Sequence, residues 1–295
     1  MDIYDSIKKY NEKRKNKTLH PLISLVDLNL SDLLPRTKFR VDFYVIAIKE
    51  TNCGDLRYGN QYYDYSEGTV VFLGPGQVIT NEPEGEMYQP YGKALVFHPD
   101  LLIGTSLAKQ IHEYSFFGYQ SFEALHLSDK ERLSLNMCFE NISTEINQNL
   151  DNHSKKLIVA NLELLLKYCL RYYDRQFITR EHVNSGIVEQ FEQKLNEYFV
   201  SDQLIIRGLP SVAYFAEQLH LSPNYFGDLI KKVTGKTAQE YIQIKLIDTA
   251  KERIFDTTKS ISEISYELGF KYPQHFTRLF KQKVGLSPVE YRGLN

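Results

Sequence analysis

The chain has 295 residues, 42% hydrophobic and 24% charged, which is enough for two domains that each bury a core. Its formal net charge of -2 offers nucleic acid no whole-chain attraction, and no uncharged apolar run approaches the ~18 residues of a membrane span. The lysine-rich start has no apolar signal segment. Cys53, Cys138 and Cys169 lack both metal spacing and a paired framework, so a reducing cytoplasm is expected.

Residues 22–98 read as β structure. Runs such as Phe-Tyr-Val-Ile-Ala-Ile (43–48) and Thr-Val-Val-Phe-Leu (69–73) are β-branched and aromatic, and turn clusters at 52–55, 74–76 and 82–85 separate them. Such regular punctuation predicts a barrel or sandwich. On alternating positions Tyr58, Tyr63, Tyr65, Phe72, Tyr88 and Phe97 would line an interior, giving an apolar wall with phenol hydroxyls. They would equally well fill a core. A metal-dependent enzyme would need clustered ligands on adjacent strands, but His20, His98, His112 and His126 form no His-X-His pair. A Gly-rich phosphate loop and a nucleophile elbow are also missing from the sequence. No enzyme activity, metal or cofactor is expected.

Residues 128–177 turn helical. Ser128 and Glu131 form a capping-box start, with Leu133, Phe139, Ile142 and Ile146 following at roughly helical spacing. Over residues 155–173 apolar side chains occupy most of the circumference, which predicts cover on two sides. One covering layer is the β domain. A second copy of the chain would supply the other, through Leu162, Leu166, Cys169 and Leu170 in a homodimer, so Leu166→Glu or Leu170→Glu should then give a folded monomer. Residues 178–186 read as a linker. The expected division is 1–177, linker 178–186 and 187–295.

From residue 187 every pattern is helical, and from Val200 onward thirteen Lys/Arg face ten Asp/Glu, a net of about +3. This region also repeats itself. Residues 225–241 align with 275–291 at an offset of 50, with Phe, Leu, Lys, Gly, Glu and Tyr in register. The preceding helix aligns at an offset of 49, Val212, Phe215, Ala216 and Leu219 against Ile261, Ile264, Ser265 and Leu268. Each copy reads as helix, tight turn, helix. Ser260 and Glu263 box the start of one helix, Gly269 ends it, and Pro273 opens the next. His220 takes the turn-glycine place in the first copy, a residue enriched at positive φ. A joining helix of 18 to 20 residues would span roughly 27–30 Å, close to the ~34 Å between successive major-groove segments on one DNA face.

The strings Leu-His-Leu-Ser-Pro-Asn-Tyr-Phe (219–226), Ile-Ser-Glu-Ile-Ser-Tyr-Glu-Leu-Gly-Phe (261–270), His-Phe-Thr-Arg-Leu-Phe-Lys (275–281) and Gly-Leu-Ser-Pro-Val-Glu-Tyr-Arg (285–292) carry a family resemblance. Residues 210–292 resemble the DNA-binding domain of the AraC/XylS class of bacterial transcription regulators. The resemblance implies an α+β two-domain chain, with an N-terminal cupin-like β-barrel with packed helices and a C-terminal all-α double helix-turn-helix domain. It implies double-stranded DNA as partner, RNA polymerase too if the protein activates, a small-molecule effector held among those aromatic residues of the barrel, and a bacterial, nucleoid-associated location. By position, Asn224, Gly227 and Asp228 would face bases from the first recognition helix, and Pro273, Gln274, Thr277 and Arg278 from the second. The second set suits the task, since Arg can grip guanine and Gln adenine. The first departs from the family at Gly227 and Asp228, because a carboxylate repels phosphate. Lys231, Lys232, Lys236 and Lys281 are expected to hold phosphates, which positions the protein without specifying sequence.

Overall fold

A computed structural model describes residues 2–32, 34–35, 38–49, 68–80, 87–88, 91–120, 123–149, 151, 153–179 and 181–294. The chain divides into two compact units, Met1–Thr179 and Arg180–Asn295.

The first unit begins with β1 (Asp2–Tyr4) and α1 (Ile7–Lys13). It continues through β2 (Ile23–Asp27), β3 (Leu34–Pro35), β4 (Lys38–Val41), β5 (Tyr44–Lys49), β6 (Thr69–Leu73), β7 (Val78–Thr80), β8 (Met87–Tyr88) and β9 (Lys93–Phe97). The short helix α2 (Leu107–Gln110), β10 (Leu125–His126), α3 (Asp129–Asn147) and α4 (Ser154–Thr179) complete it. Five strands pair antiparallel in the order β10-β6-β5-β9-β2, with Ile46 opposite both Phe72 and Leu95. Alternation along these strands makes two apolar faces. Val26, Val45, Ala94 and Val96 join Tyr4, Ile7, Tyr10, Val41 and Phe43 in one core on the side of α1 and the three-stranded sheet β1-β4-β7. On the other side Tyr44, Phe72 and Phe97 meet the rings of Phe116, Phe117 and Tyr173 at 4.4–6.4 Å. Strands buried on both faces explain why the sequence runs so continuously apolar there. Among the described residues the strands form three open sheets, of five, three and two strands, and none closes into a barrel.

The helices α3 and α4 are pinned to β10 by side chains. Arg175 pairs with Glu131 at 2.8 Å and donates to the His126 carbonyl, while the Gln176 amide bonds Ala124 and His126. The expected box at Ser128 and Glu131 opens α3. Its buried row is Leu135, Cys138, Phe139, Ile142 and Ile146, whereas Leu133 points to solvent at 64% exposure. Two residues before Leu135, Leu133 lies on the opposite side of the helix from the buried row, on the outward face with Met137. The expected linker 178–186 is helical wherever it is described: α4 runs through Thr179, and α5 (Glu181–Val200) opens the second unit.

The second unit continues with α6 (Gln203–Arg207), α7 (Val212–Gln218), α8 (Pro223–Thr234), α9 (Ala238–Ile254), α10 (Ile261–Glu267), α11 (Pro273–Val284) and α12 (Pro288–Arg292). Phe191 of α5 packs edge-on against Phe215 and Phe226 at 5.2 and 5.1 Å, so α5 supplies the core of the first helix-turn-helix. The second copy closes around Phe276 and Phe280, with Tyr291 of α12 against Phe280. The joining helix α9 has 17 residues, about 25 Å at 1.5 Å per residue. It is shorter than the expected 18 to 20 because Phe255 is its C-cap. Arg292 donates to the carbonyl of Ile254, which α9's end leaves without a helical partner, and to that of Asp256 in the turn beyond.

The two tight turns differ in what surrounds them. His220 has φ +56° and Gly269 φ +86°, as the duplication requires. A Cβ on Gly269 would stand 2.8 Å from the Gly208 carbonyl carbon and 2.9 Å from Leu204 O, because α6 and its exit loop lie directly against that turn. His220 is exposed. Gly227, inside α8, has open space where a Cβ would go.

Gly269→Ala should therefore lose about 2 kcal/mol or more of stability, since both the left-handed backbone and the close approach oppose a side chain. Gly227→Ala should gain about 0.5–1 kcal/mol from helix propensity. Denaturant unfolding followed by helical circular dichroism measures both, and a neutral Gly269→Ala would refute the brace.

Acid should weaken the helical unit through its capping boxes. Glu240, Glu263 and Glu290 each accept the backbone N–H of Thr237, Ser260 or Ser287 at 2.7 Å, and this bond first, then the cap hydroxyl, holds each carboxyl below the ordinary glutamate range. A depressed folded pKa contributes stability that is complete above the unfolded value and disappears as pH falls through the folded one. The urea midpoint should accordingly drop on going from neutral pH to below the glutamate range, and a Glu240→Gln, Glu263→Gln, Glu290→Gln triple variant should show a shallower acid dependence. An identical acid profile in that variant would refute the assignment.

Candidate nucleic-acid interface

Each recognition helix is built so that one face must be dry and the other is left wet. In α8, Ser222 caps the start by accepting from the Tyr225 N–H at 3.2 Å, Pro223 takes the first helical position, and Gly235 ends it at φ +75°. Tyr225, Phe226, Leu229 and Ile230 are buried. In α11, Pro273 again opens the helix, Gly285 ends it at φ +89°, and Phe276 and Phe280 are fully buried. Burying each such phenylalanine stabilises by about 1.5–3 kcal/mol, which fixes the rotation of the helix about its axis. The wet faces then follow from the 3.6-residue period.

On α11 the wet face carries Gln274, Thr277, Arg278 and Lys281, with Gln274, Arg278 and Lys281 exposed and Pro273 and Thr277 half-buried. Among the described residues the Arg278 guanidinium and the Gln274 amide make no hydrogen bond or ion pair. Their donors are therefore available to a ligand. On α8 the equivalent face carries Asn224, Gly227, Asp228, Lys231 and Lys232, with Asn224 and both lysines exposed and Gly227 and Asp228 half-buried. The offset of 50 sets Asp228 against Arg278, Gly227 against Thr277 and Lys231 against Lys281. The electrostatics repeat too, since Lys231 acts on Glu240 and Lys281 on Glu290. Lys236 is exposed, with its ammonium 5.9 Å from the Tyr241 ring centroid.

The other candidate sites fall as follows. Phe72 and Phe97 are 3% and 0% exposed, inside the ring cluster between the five-stranded sheet and α4. Tyr58, Tyr63 and Tyr65 lie outside the described residues, as does the side chain of Tyr88 in β8. Leu162, Leu166 and Cys169 are all 0% exposed within a single chain, covered by α3 and the first unit's core. Of the four expected dimer residues only Leu170 reaches solvent, at 43%. Besides Leu170, the outward apolar side chains of this helix pair are Leu133 and Met137 of α3 and Leu157, Leu164 and Ile178 of α4. Among the histidines, His98 caps the short turn Pro99–Leu102 by accepting from Asp100 N, and His20 accepts from Leu22 N. Among the described residues no group of three His, Cys, Asp or Glu could hold a metal ion, and no helix is long and apolar enough to cross a membrane.

Two supports of the interface were not anticipated from the sequence. One is α5, whose Phe191 backs α8. The other is the α6–Gly208 segment, held by the Tyr198 hydroxyl donating to the Gly208 carbonyl at 2.9 Å. The apolar spacing of α5 was a legible signal; the contact of Gly208 with Gly269 left none.

Residues 215–293 match the family described as a helix-turn-helix domain. The probable transcriptional regulator LumQ of Photobacterium leiognathi is 26% identical over 153 residues, 51% of this chain and 56% of that protein. The bifunctional transcriptional activator/DNA repair enzyme AdaA of Bacillus subtilis is 34% identical over 139 residues, 47% of this chain and 63% of that protein. The chain thus spans about half the length of the curated relatives it matches. A solved C-terminal domain of the two-component response regulator yesN from Fusobacterium nucleatum aligns at 25% identity and a TM-score of 0.32, over 36% of this chain and 98% of that one. The duplicated unit behind α8 and α11 is an AraC-type helix-turn-helix domain, and through it the chain is related to transcriptional regulators.

Proposed function

We propose that this protein is a sequence-specific, DNA-binding transcription regulator of the bacterial cytoplasm that lays α8 and α11 into successive major-groove segments of one DNA face. The observation that carries this reading is the pair of amphipathic helices at an offset of 50, each with a buried aromatic face and an outward row of donors and cations. In this reading Gln274, Thr277 and Arg278 read base edges beside Pro273, and Lys231, Lys232, Lys236 and Lys281 hold phosphates. Asn224, Gly227 and Asp228 face the other groove segment, where Gly227 has nothing to reach with and Asp228 opposes the backbone charge. Specificity therefore lies mainly in the second copy.

The first unit acts, on this proposal, as a cupin-like effector-sensing and dimerising module. Two layers of strands around an apolar interior support the first role, and the outward row Leu133, Met137, Leu157 and Leu164 supports the second. RNA polymerase is a partner only if the protein activates.

Genomic fragments selected on the purified chain supply the operator for the binding test. Arg278→Ala should cost about 1–3 kcal/mol on that operator by fluorescence anisotropy and leave binding to unrelated DNA nearly unchanged. Asp228→Asn should strengthen binding to both. Equal losses for Arg278→Ala on the two DNAs would remove the base-reading role.

The dimer test moves to the outward row, because a charge at the fully buried Leu166 would unfold the unit. Met137→Glu with Leu164→Glu should convert a wild-type dimer to a folded monomer in sedimentation. A wild-type monomer, or a dimer unchanged by the double substitution, would remove this interface.

A further inference from the structure

The two recognition helices start differently, and the difference lies outside their shared buried frame. Within the second unit α7, α8, α9, α10 and α12 each open on a serine or threonine whose hydroxyl accepts a backbone N–H of the first turn. Such a cap satisfies one of the donors that a helix start leaves without a partner. At the head of α11 the place of Ser222 is taken, at the offset of 50, by Tyr272, which makes no side-chain capping bond. Three residues on, the exchange runs the other way. Tyr225 of α8 is 5% exposed, whereas His275, its counterpart in α11, is exposed. The phenol that the first copy keeps in its core therefore stands outside in the second, and α11 gives up a cap to carry it.

Tyr272 is 56% exposed, yet its ring has a support. It meets the His275 imidazole edge-on, with centroids 5.5 Å apart and planes at 67°. The His275 N–H also donates to the Tyr272 carbonyl at 3.0 Å, which closes the first turn beneath the pair. A lone exposed aromatic residue is ordinary. One that displaces a cap and leans on a second ring is held where an outside surface can meet it.

The chemistry of that surface follows from the neighbours. Gln274 and Arg278 lie one turn apart on the exposed face of α11, and the ring pair stands at the N-terminal end of the helix, the end that a recognition helix points at base edges. A ring there offers an apolar surface, and the apolar group in the major groove is the thymine methyl. An A·T pair that shows adenine to an amide such as Gln274 shows its thymine methyl in the same groove. We propose that Tyr272 is a further specificity residue, packing its ring on a thymine methyl, and that His275 positions the ring. This rests on the DNA-binding reading above and adds to it a preference for thymine beside the bases met by Gln274 and Arg278.

Replacing the operator's thymines one at a time by deoxyuridine removes a methyl and leaves base pairing intact. With the full chain, fluorescence anisotropy should find a thymine, in the groove segment where Arg278→Ala loses discrimination, at which this weakens binding about three- to five-fold, as expected for one buried methyl. Tyr272→Ser restores the cap of the first copy. It should unfold at no lower urea concentration than wild type and yet lose discrimination at that thymine. Tyr272→Phe should keep the discrimination, His275→Ala should reduce it, and His275→Phe should retain it. A wild type indifferent to every such methyl overturns the proposal, as does a Tyr272→Ser variant that still senses the same one. If Tyr272→Phe weakens binding to operator and unrelated DNA alike, the phenol holds a phosphate and the proposal is again overturned. In each of these cases the sequence preference carried by Arg278 survives, whereas a wild type that prefers no operator removes the DNA-binding reading and this proposal with it.

Discussion

Phe226 and Phe276 occupy the same place in two copies of one unit, and both are fully buried. Each works as a key that sets the rotation of its helix. With 3.6 residues per turn, burying the ring at one position fixes which residues one, two and five places on face outward. The rest of the interface depends on this. Proline at the first helical position and a left-handed glycine after the last fix where each helix begins and ends, so length, phase and axis are all determined before any ligand arrives. A helix backbone held this way loses little further freedom on binding, although exposed side chains such as Arg278 still have to be ordered.

The frame is duplicated more faithfully than what it displays. Aromatic keys, end glycines and a capping box after each recognition helix recur in both copies, while the outward residues diverge: glycine against threonine, aspartate against arginine. The divergence has a physical logic. Frame positions answer to packing and backbone geometry, which are the same in both copies. Display positions answer only to whatever lies outside, and on the proposed reading that differs between two groove segments. The supporting elements differ as well, since α5 backs the first copy and α6 with its exit loop backs the turn of the second.

Much of the helical unit was legible because its signals are local. Ser260 with Glu263, Pro273 before Phe276, and Gly285 after Val284 each act within one helical turn, and an internal repeat checks every such assignment twice. His220 at positive φ could be read only through its alignment with Gly269. The first unit was less legible. Alternation located the runs of β5, β6 and β9, but whether Phe72 faces a cavity or the rings of Phe116 and Tyr173 depends on chain more than forty residues away. Leu162, Leu166 and Cys169 carried the opposite difficulty. An all-round apolar helix announces two covers, and the helix itself does not say that α3 is one of them. The segment 178–186 looked like a linker from its polar and small residues, yet helical hydrogen bonding does not require an apolar face.

The contact of Gly208 with Gly269 bears on how such a protein can change over generations. A turn pressed against another backbone admits one residue type, so substitutions there are removed whatever their effect elsewhere. The matching turn at His220 is exposed, and the open space where a Cβ would stand on Gly227 lets α8 acquire a side chain there without a clash at its first atom. The copy that displays less is thus the one free to vary. On the proposed reading, a new preference for DNA could be acquired stepwise at Gly227 and Asp228 while the second copy kept the protein on its existing sites, so that one half of the duplication would preserve an inherited address and the other be available to learn a new one.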